Sequence, residues 1–132
     1  MALQITVVKG SGLNVADIYG ANPQNASPCI RLICPTCAAP GFKQSKVLLI
    51  QSPDQSFTDQ GVRFQVDAHT EPLSLEFADK DPQRDSSAMG KATISRQALR
   101  DAANSGTEMW VSLNKKNGGG YAGQLVIRVA HA

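Results

Sequence analysis

Three aspartates near the middle of the chain have the spacing of a metal site. Asp79 and Asp81 follow an alternating apolar stretch over 73–77 and keep its odd-numbered parity, and Asp85 lies in the polar loop beyond them. A straight strand would place the first two carboxylates in line with its buried row, just past the core. Carboxylates this close repel one another unless a cation compensates, and hard oxygen ligands suit calcium. The alternative is a charged, solvated hairpin loop, and this stretch alone leaves both interpretations open.

The composition indicates one globular domain spanning residues 1–132. Hydrophobic residues make up 42% and charged residues 18% of the chain, which is ordinary for a folded domain. A net charge of +2 with 5% aromatic residues does not favour nucleic acid as a partner. No apolar run approaches the roughly 20 residues of a transmembrane helix, and the N-terminus lacks the layout of a signal peptide. We therefore expect a cytoplasmic protein, including one peripherally bound to membrane, or a domain excised from a longer chain; the sequence does not indicate its oligomeric state.

Catalytic and thiol chemistry find little support. Cys34 and Cys37 form a C-x-x-C pair, but no second pair completes a zinc site, and the pair opens a loop instead of a helix. The chain also lacks a nucleophile elbow, a phosphate-binding loop and a metalloprotease helix. We therefore expect a protein that is not an enzyme; a structural role for these two cysteines is favoured over a metal or redox one, and the sequence does not decide between them.

Alternating apolar residues predict eight strands and one short helix. The helix is expected over 96–104, with Ser95 as its N-cap and Gly106 ending it. Long loops are expected over 35–45 and 52–61. Regular turns between short strands favour an all-β, eight-stranded antiparallel β-sandwich. The predicted strands cover 2–9, 29–34, 46–51, 62–66, 73–79, 91–95, 108–114 and 124–130.

The order of these strands predicts a polar molecule. In an up-and-down arrangement, the loops that follow odd-numbered strands lie at one end of the sandwich. The first three of these loops carry Asp17, then Asp54 and Asp59, then the aspartates that follow residue 78. The loops after even-numbered strands carry basic residues, namely Lys43, Lys46, Arg96 and Arg100. We therefore expect an acidic end and a basic end.

The succession of short motifs resembles a C2 domain, the calcium-dependent lipid-binding module of protein kinase C and synaptotagmin. The matching segments are the strand and loop over 3–17, the segments 27–32, 52–57 and 75–81, Gly90, and the last two strands at 110–113 and 123–127. The resemblance covers nearly the whole chain. It implies the permuted type II topology, with both termini opposite the calcium loops.

The resemblance also implies a degenerate calcium site. Asp17, Asp79 and Asp81 match family ligands, and Asp85 lies two residues before the position of the last one. Serines stand at two other ligand positions, Ser27 and Ser87. Because calcium affinity depends on the number of carboxylates, the cofactor implied is Ca²⁺ at one weak site, or none.

Candidate lipid contacts fall into two groups. One group lies in the loops of the acidic end and comprises Ile18, Tyr19 and Arg84. Ile18 and Tyr19 could anchor at a lipid interface or fold back over Leu13. The other would form the family's phosphoinositide patch on the concave sheet face, or ordinary solvated charges; it comprises Lys43 and Lys46, with Arg31 and Arg63 as further candidates.

These features predict a non-catalytic binding module. Its partner would be an anionic phospholipid membrane. The module would dock to it through the acidic loop end, and this docking would depend on calcium weakly or not at all. The alternative is a calcium-independent protein–protein interaction or scaffold domain, which the two serines favour. The aspartates at positions 17, 79 and 81 favour the first hypothesis.

Overall fold

The computed structural model describes residues 2–13, 28–34, 41–44, 54–67, 73–79, 90–115 and 120–131. These residues form nine strands and one α-helix, so the all-β class with one short helix is confirmed. The strands are β1 (Ala2–Ser11), β2 (Pro28–Cys34), β3 (Gly41–Gln44), β4 (Gln55–Ser56), β5 (Arg63–Asp67), β6 (Leu73–Asp79), β7 (Lys91–Ile94), β8 (Met109–Asn114) and β9 (Tyr121–His131), and the helix α1 (Arg96–Ser105) lies between β7 and β8.

The strands form two halves joined by a narrow seam. Every pairing is antiparallel. The first half runs β3-β2-β6-β7, and the second runs β8-β9-β1, with β4 and β5 both on the far edge of β1. Between β7 and β8 the register holds a single residue pair, Lys91 with Asn114. The sheet therefore turns sharply at this seam, and its two halves can face each other as layers.

The hydrophobic core lies between these two halves. Alternate residues of strands from both halves belong to one buried cluster, as expected when each strand turns one face inward. The helix adds Leu99 and Ala102, and Phe57, which follows β4, is fully buried. From the first half come Ile30, Leu32, Leu73, Leu75, Phe77, Ala92 and Ile94, and from the second come Leu3, Ile5, Val7, Phe64, Val66, Val111, Leu113, Leu125, Ile127 and Val129.

The helix has the end signals that the sequence predicted. Ser95 is extended, and its Oγ accepts a hydrogen bond from the Ala98 backbone N–H at 3.1 Å. Gly106 adopts a left-handed conformation and donates its N–H to the Ala102 carbonyl at 3.0 Å. Both ends therefore satisfy backbone groups that the helix itself leaves unpaired.

A bulge brings the start of β9 against the end of β1. The β8–β9 register shifts between Ser112 and Asn114, so β9 carries an extra residue there. Gly123 lies in this bulge with φ of 108°. A Cβ on it would come within 2.7 Å of the Gly12 carbonyl oxygen. Only glycine allows this close approach of two backbones.

Two predicted loops differ from the structure. The loop expected over 35–45 contains β3, which pairs with the end of β2 from Arg31 to Cys34. The loop expected over 52–61 contains β4, which pairs with Lys9 and Gly10. Both strands are too short for an alternating pattern to show, and their pairing is set by distant partners. The strand predicted over 46–51 lies outside the described residues.

Candidate functional site

The pairing directions bring the anchors of two aspartate-bearing connections to one end of the sandwich. Asp79, the last residue of β6, pairs with Pro28, the first residue of β2. Because neighbouring strands are antiparallel, β1 also ends at this side. The connection carrying Asp17 runs from β1 to β2, and the connection carrying Asp81 and Asp85 runs from β6 to β7. Both connections are therefore anchored at the end where Asp79 lies, which we call the Asp79 end.

Most of the predicted site residues lie outside the part of the chain that the structure describes. Two of them, Asp79 and Lys43, are described as backbone within β6 and β3. The others stay predictions that rest on the sequence: Asp17, Ile18, Tyr19, Lys46, Asp81, Arg84 and Asp85.

Asp54 has a structural role at the same end. Its Oδ1 accepts hydrogen bonds from the Gly12 backbone N–H at 2.9 Å and from Ser11 Oγ at 3.2 Å. It thereby ties the end of β1 to the segment that enters β4. Asp54 therefore holds the fold of this end together. Because its carboxylate already accepts from a backbone donor, it has less capacity left for a cation.

The donor set at the Asp79 end fits calcium chemically. Within the described ranges, no three His, Cys, Asp or Glu residues are grouped closely enough to hold a metal. Three of the four proposed donors lie beyond those ranges, at positions 17, 81 and 85. All four are carboxylates, the hard oxygen ligands that calcium prefers. The fourth, Asp79, lies at the end of the sandwich where the connections that carry the other three are anchored.

The strand pairings separate the candidate basic residues. Arg31 on β2 pairs with Gln44, whereas Lys43 pairs with Leu32. Arg63 lies on β5, which pairs with β1 in the other half of the sandwich. Arg63 therefore cannot share a sheet face with Arg31, and the described cations of this group form no single patch.

A groove follows the seam between β7 and β8. From their single pair the two strands diverge, leaving a polar pocket of about 590 Å³ that continues into an apolar one of about 370 Å³ beside α1. Alternate residues of an antiparallel strand direct their N–H and C=O groups away from the paired neighbour. Both strand edges therefore present backbone groups to the groove. Its lining comprises Glu76, Lys91, Ala92, Thr93, Ile94, Ser95, Ala98, Met109, Trp110, Val111, Ser112, Asn114 and Lys115.

Glu76 is the feature of this groove that the sequence did not reveal. It is the buried charged residue of the described chain, with 6% of its surface exposed. Its register partners are Arg31 on β2 and Lys91 on β7. Its even-numbered position in β6 predicts the polar side of the strand, where it is nonetheless buried. The alternation therefore predicted its face but not its burial.

Solved structures resemble this one along its whole length. A C2 domain-containing protein superposes with a TM-score of 0.66 and 23% identity, over 100% of this chain and 88% of its own. The tandem C2A and C2B domains of extended synaptotagmin 2 superpose with a TM-score of 0.58 and 18% identity, over 98% of this chain and 41% of their own. CC2D1B, which coordinates ESCRT-III activity during the mitotic reformation of the nuclear envelope, superposes with a TM-score of 0.58 and 17% identity, over 98% of this chain and 54% of its own.

The likeness to these proteins lies in the fold and not in a close sequence relationship. Neither family models nor the sequences of characterised proteins match this chain. No described helix is long and apolar enough to cross a membrane. Identities below 25% show shared architecture, and the resemblance in motif order points the same way. The two-layer antiparallel sandwich, the helix between β7 and β8 and the superposition over the full chain together identify the C2 fold.

Proposed function

We propose that the chain is a non-catalytic binding module that docks to anionic phospholipid membrane through its Asp79 end. The observation that carries the proposal is the pairing of Asp79 with Pro28, within a fold shared with C2 domain proteins. This pairing anchors the connections that carry Asp17, Asp81 and Asp85 at one end. Carboxylates gathered there repel an anionic surface unless a cation lies between them.

Calcium dependence is proposed to be weak. Asp17, Asp79, Asp81 and Asp85 would hold the ion, and bound calcium would neutralise them and offer coordination to lipid oxygens. Two family ligand positions carry serine in this chain, Ser27 and Ser87. With fewer carboxylates the affinity falls.

Side chains at this end, and others on the sheet face of the first half, would make the lipid contacts. Ile18 and Tyr19 would enter the interface, where aromatic residues are favoured, and Arg84 would pair with headgroups. Lys43 and Lys46 would add contacts to lipid phosphate. All five are proposals from their places in the sequence.

A calcium titration with vesicle sedimentation tests this proposal. A ligand that binds only the folded state raises its stability. With a Kd of about 1 mM, 10 mM calcium adds about 1.4 kcal/mol, or about 4 to 6 °C in Tm. Calcium should also increase sedimentation with phosphatidylserine-containing vesicles. Asp79→Asn combined with Asp81→Asn should abolish both effects.

The matched control is Asp101→Asn. Asp101 is an exposed aspartate on α1, which follows β7 at the opposite end of the sandwich, so this variant should keep the calcium response. No change in Tm together with no vesicle binding in either condition would contradict the proposal.

The seam groove favours a second candidate, a calcium-independent protein–protein interaction or scaffold domain. Open strand edges beside a pocket can accept an extended segment of another protein. This function predicts that calcium and vesicles leave the protein unchanged, and that a bound partner slows amide exchange in β7 and β8. Exchange that slows elsewhere while the seam is unaffected would exclude it.

A further inference from the structure

The outer face of the second half carries a cluster unrelated to the Asp79 end. The residues on this face point away from the core in β5, β1, β9 and β8. Two cross-strand rows define it. One aligns Trp110, Val126 and Lys9, and the other aligns Arg63, Thr6 and Arg128. We call this surface the Trp110 face.

Trp110 and Lys9 form a platform over Val126. Val126 lies on the side away from the core, yet only 1% of it is exposed, because its two flanking partners cover it. The Lys9 Nζ lies 5.2 Å from the centroid of the Trp110 ring, within the range of a cation–π interaction. Even so, 54% of Trp110 remains exposed. The indole therefore contacts Lys9 and keeps a large free surface.

The charge around this platform is mainly positive. Lys9 and Arg63 form no ion pair with the described residues, and Arg128 lies 3.6 Å from Glu108 with both side chains largely exposed. An exposed pair of this kind contributes little. The negatively charged residue of β5, Asp67, lies four positions after Arg63, at the far edge of the face. The centre of the face thus joins one exposed indole to uncompensated cations.

We propose that the Trp110 face is a second contact surface for an anionic phospholipid bilayer. This inference rests on the proposed membrane docking and adds an orientation in which the sandwich lies on its side. Indole rings settle at the headgroup level of bilayers, and nearby cations are attracted to anionic lipid. Single-stranded nucleic acid is less favoured, because stacking of successive bases needs a row of adjacent aromatic side chains. On this face Trp110 and Tyr121 belong to register pairs four positions apart along β8.

The test uses Trp110 itself, the single tryptophan of the chain. Its emission is recorded while the protein is titrated with vesicles of phosphatidylserine and phosphatidylcholine, and with vesicles of phosphatidylcholine alone. Only the anionic vesicles should shift the emission to shorter wavelength. Lipids brominated on their acyl chains should quench it. High salt should reverse both effects, since exposed charges are screened.

Charge variants identify the surface. The double variant Lys9→Gln, Arg63→Gln should weaken vesicle binding about 25-fold. Each cation near an anionic surface raises the affinity about fivefold, and the variant removes two. Arg96→Gln with Arg100→Gln is the matched control, because it removes the same charge from α1, outside the Trp110 face, and it should bind as the unaltered protein does. Equal weakening by the control variant would overturn the proposal.

The outcomes separate this inference from the proposed function. Sedimentation with anionic vesicles but unchanged Trp110 emission overturns the side-on orientation and leaves docking through the Asp79 end intact. No sedimentation with any vesicle overturns both. An equal emission shift with a single-stranded oligonucleotide overturns the lipid assignment and makes the face a nucleic-acid surface.

Discussion

At the scale of single residues, Asp54 shows that an aspartate near the candidate calcium site can serve the fold. The sequence groups it with the other acidic residues expected at one end. Its carboxylate instead accepts hydrogen bonds from Gly12 and Ser11. No spacing rule distinguishes a carboxylate that binds a cation from one that binds a turn. The carboxylates counted as ligands are therefore those on the connections anchored beside Asp79.

Gly123 offers a test of the contact between β9 and β1. Gly123→Ala should destabilise the protein, because the residue has φ of 108° and its Cβ would meet the Gly12 backbone. Backbone strain of this kind costs about 1–3 kcal/mol, and the clash adds about 1–3 kcal/mol. The free energy of unfolding in urea measures the loss.

Gly120→Ala is the control for this prediction. Gly120 also has positive φ, 90°, but nothing lies within 4 Å of a Cβ built on it. It should show only the loss due to strain. Equal losses in the two variants would contradict the close approach of β9 to β1.

At the scale of elements, the helix depends on its N-cap. Ser95→Ala removes the acceptor of the Ala98 N–H, and the protein should lose about 1 kcal/mol. Ser95→Asp keeps an acceptor at the same position and should retain most of the stability. Urea midpoints of the three proteins provide the measurement. If Ser95→Asp loses as much as Ser95→Ala, capping is not the cause.

Elements with long alternating runs could be predicted from the sequence, and short ones could not. β1, β6 and β8 each place several apolar residues on one side, and their ends agree with the prediction within two residues. β9 begins three residues earlier than predicted, on the far side of its bulge. β3 and β4 were missed because four and two residues are too few to show a period, so only distant pairing reveals them.

Each candidate surface likewise has features that the sequence predicts and features that only the strand pairing shows. Trp110 alternates with Met109, Val111 and Leu113 in the sequence. This alternation predicts the side away from the core, and Trp110 occupies that side in the structure. Its partner Lys9 is about a hundred positions away along the chain, and only the β8–β9–β1 register brings the two together. Strand order likewise gave the shared anchoring of the aspartate-bearing connections, whereas the burial of Glu76 did not follow from the alternation.

At the scale of the whole molecule, the two proposed membrane contacts lie on different sides of one sandwich. The Asp79 end depends on carboxylates and calcium, and the Trp110 face depends on cations and an indole. Calcium should therefore strengthen docking through the end, while salt should weaken docking through the face. Their different dependence on ions makes the two contacts separable in one protein.

The common core predicts that both halves unfold together. Phe77 on β6 is fully buried in the cluster that draws on both halves. Phe77→Ala should lower the free energy of unfolding by about 3–5 kcal/mol. Because the halves share this cluster, Trp110 fluorescence in the second half and amide signals of β6 in the first should move to the same lower urea midpoint. Tyr121→Ala removes an aromatic side chain that is 60% exposed and should shift both midpoints little. Separate midpoints for the two probes would show that the seam at Lys91 and Asn114 divides the protein into independently folding halves, contrary to the single core.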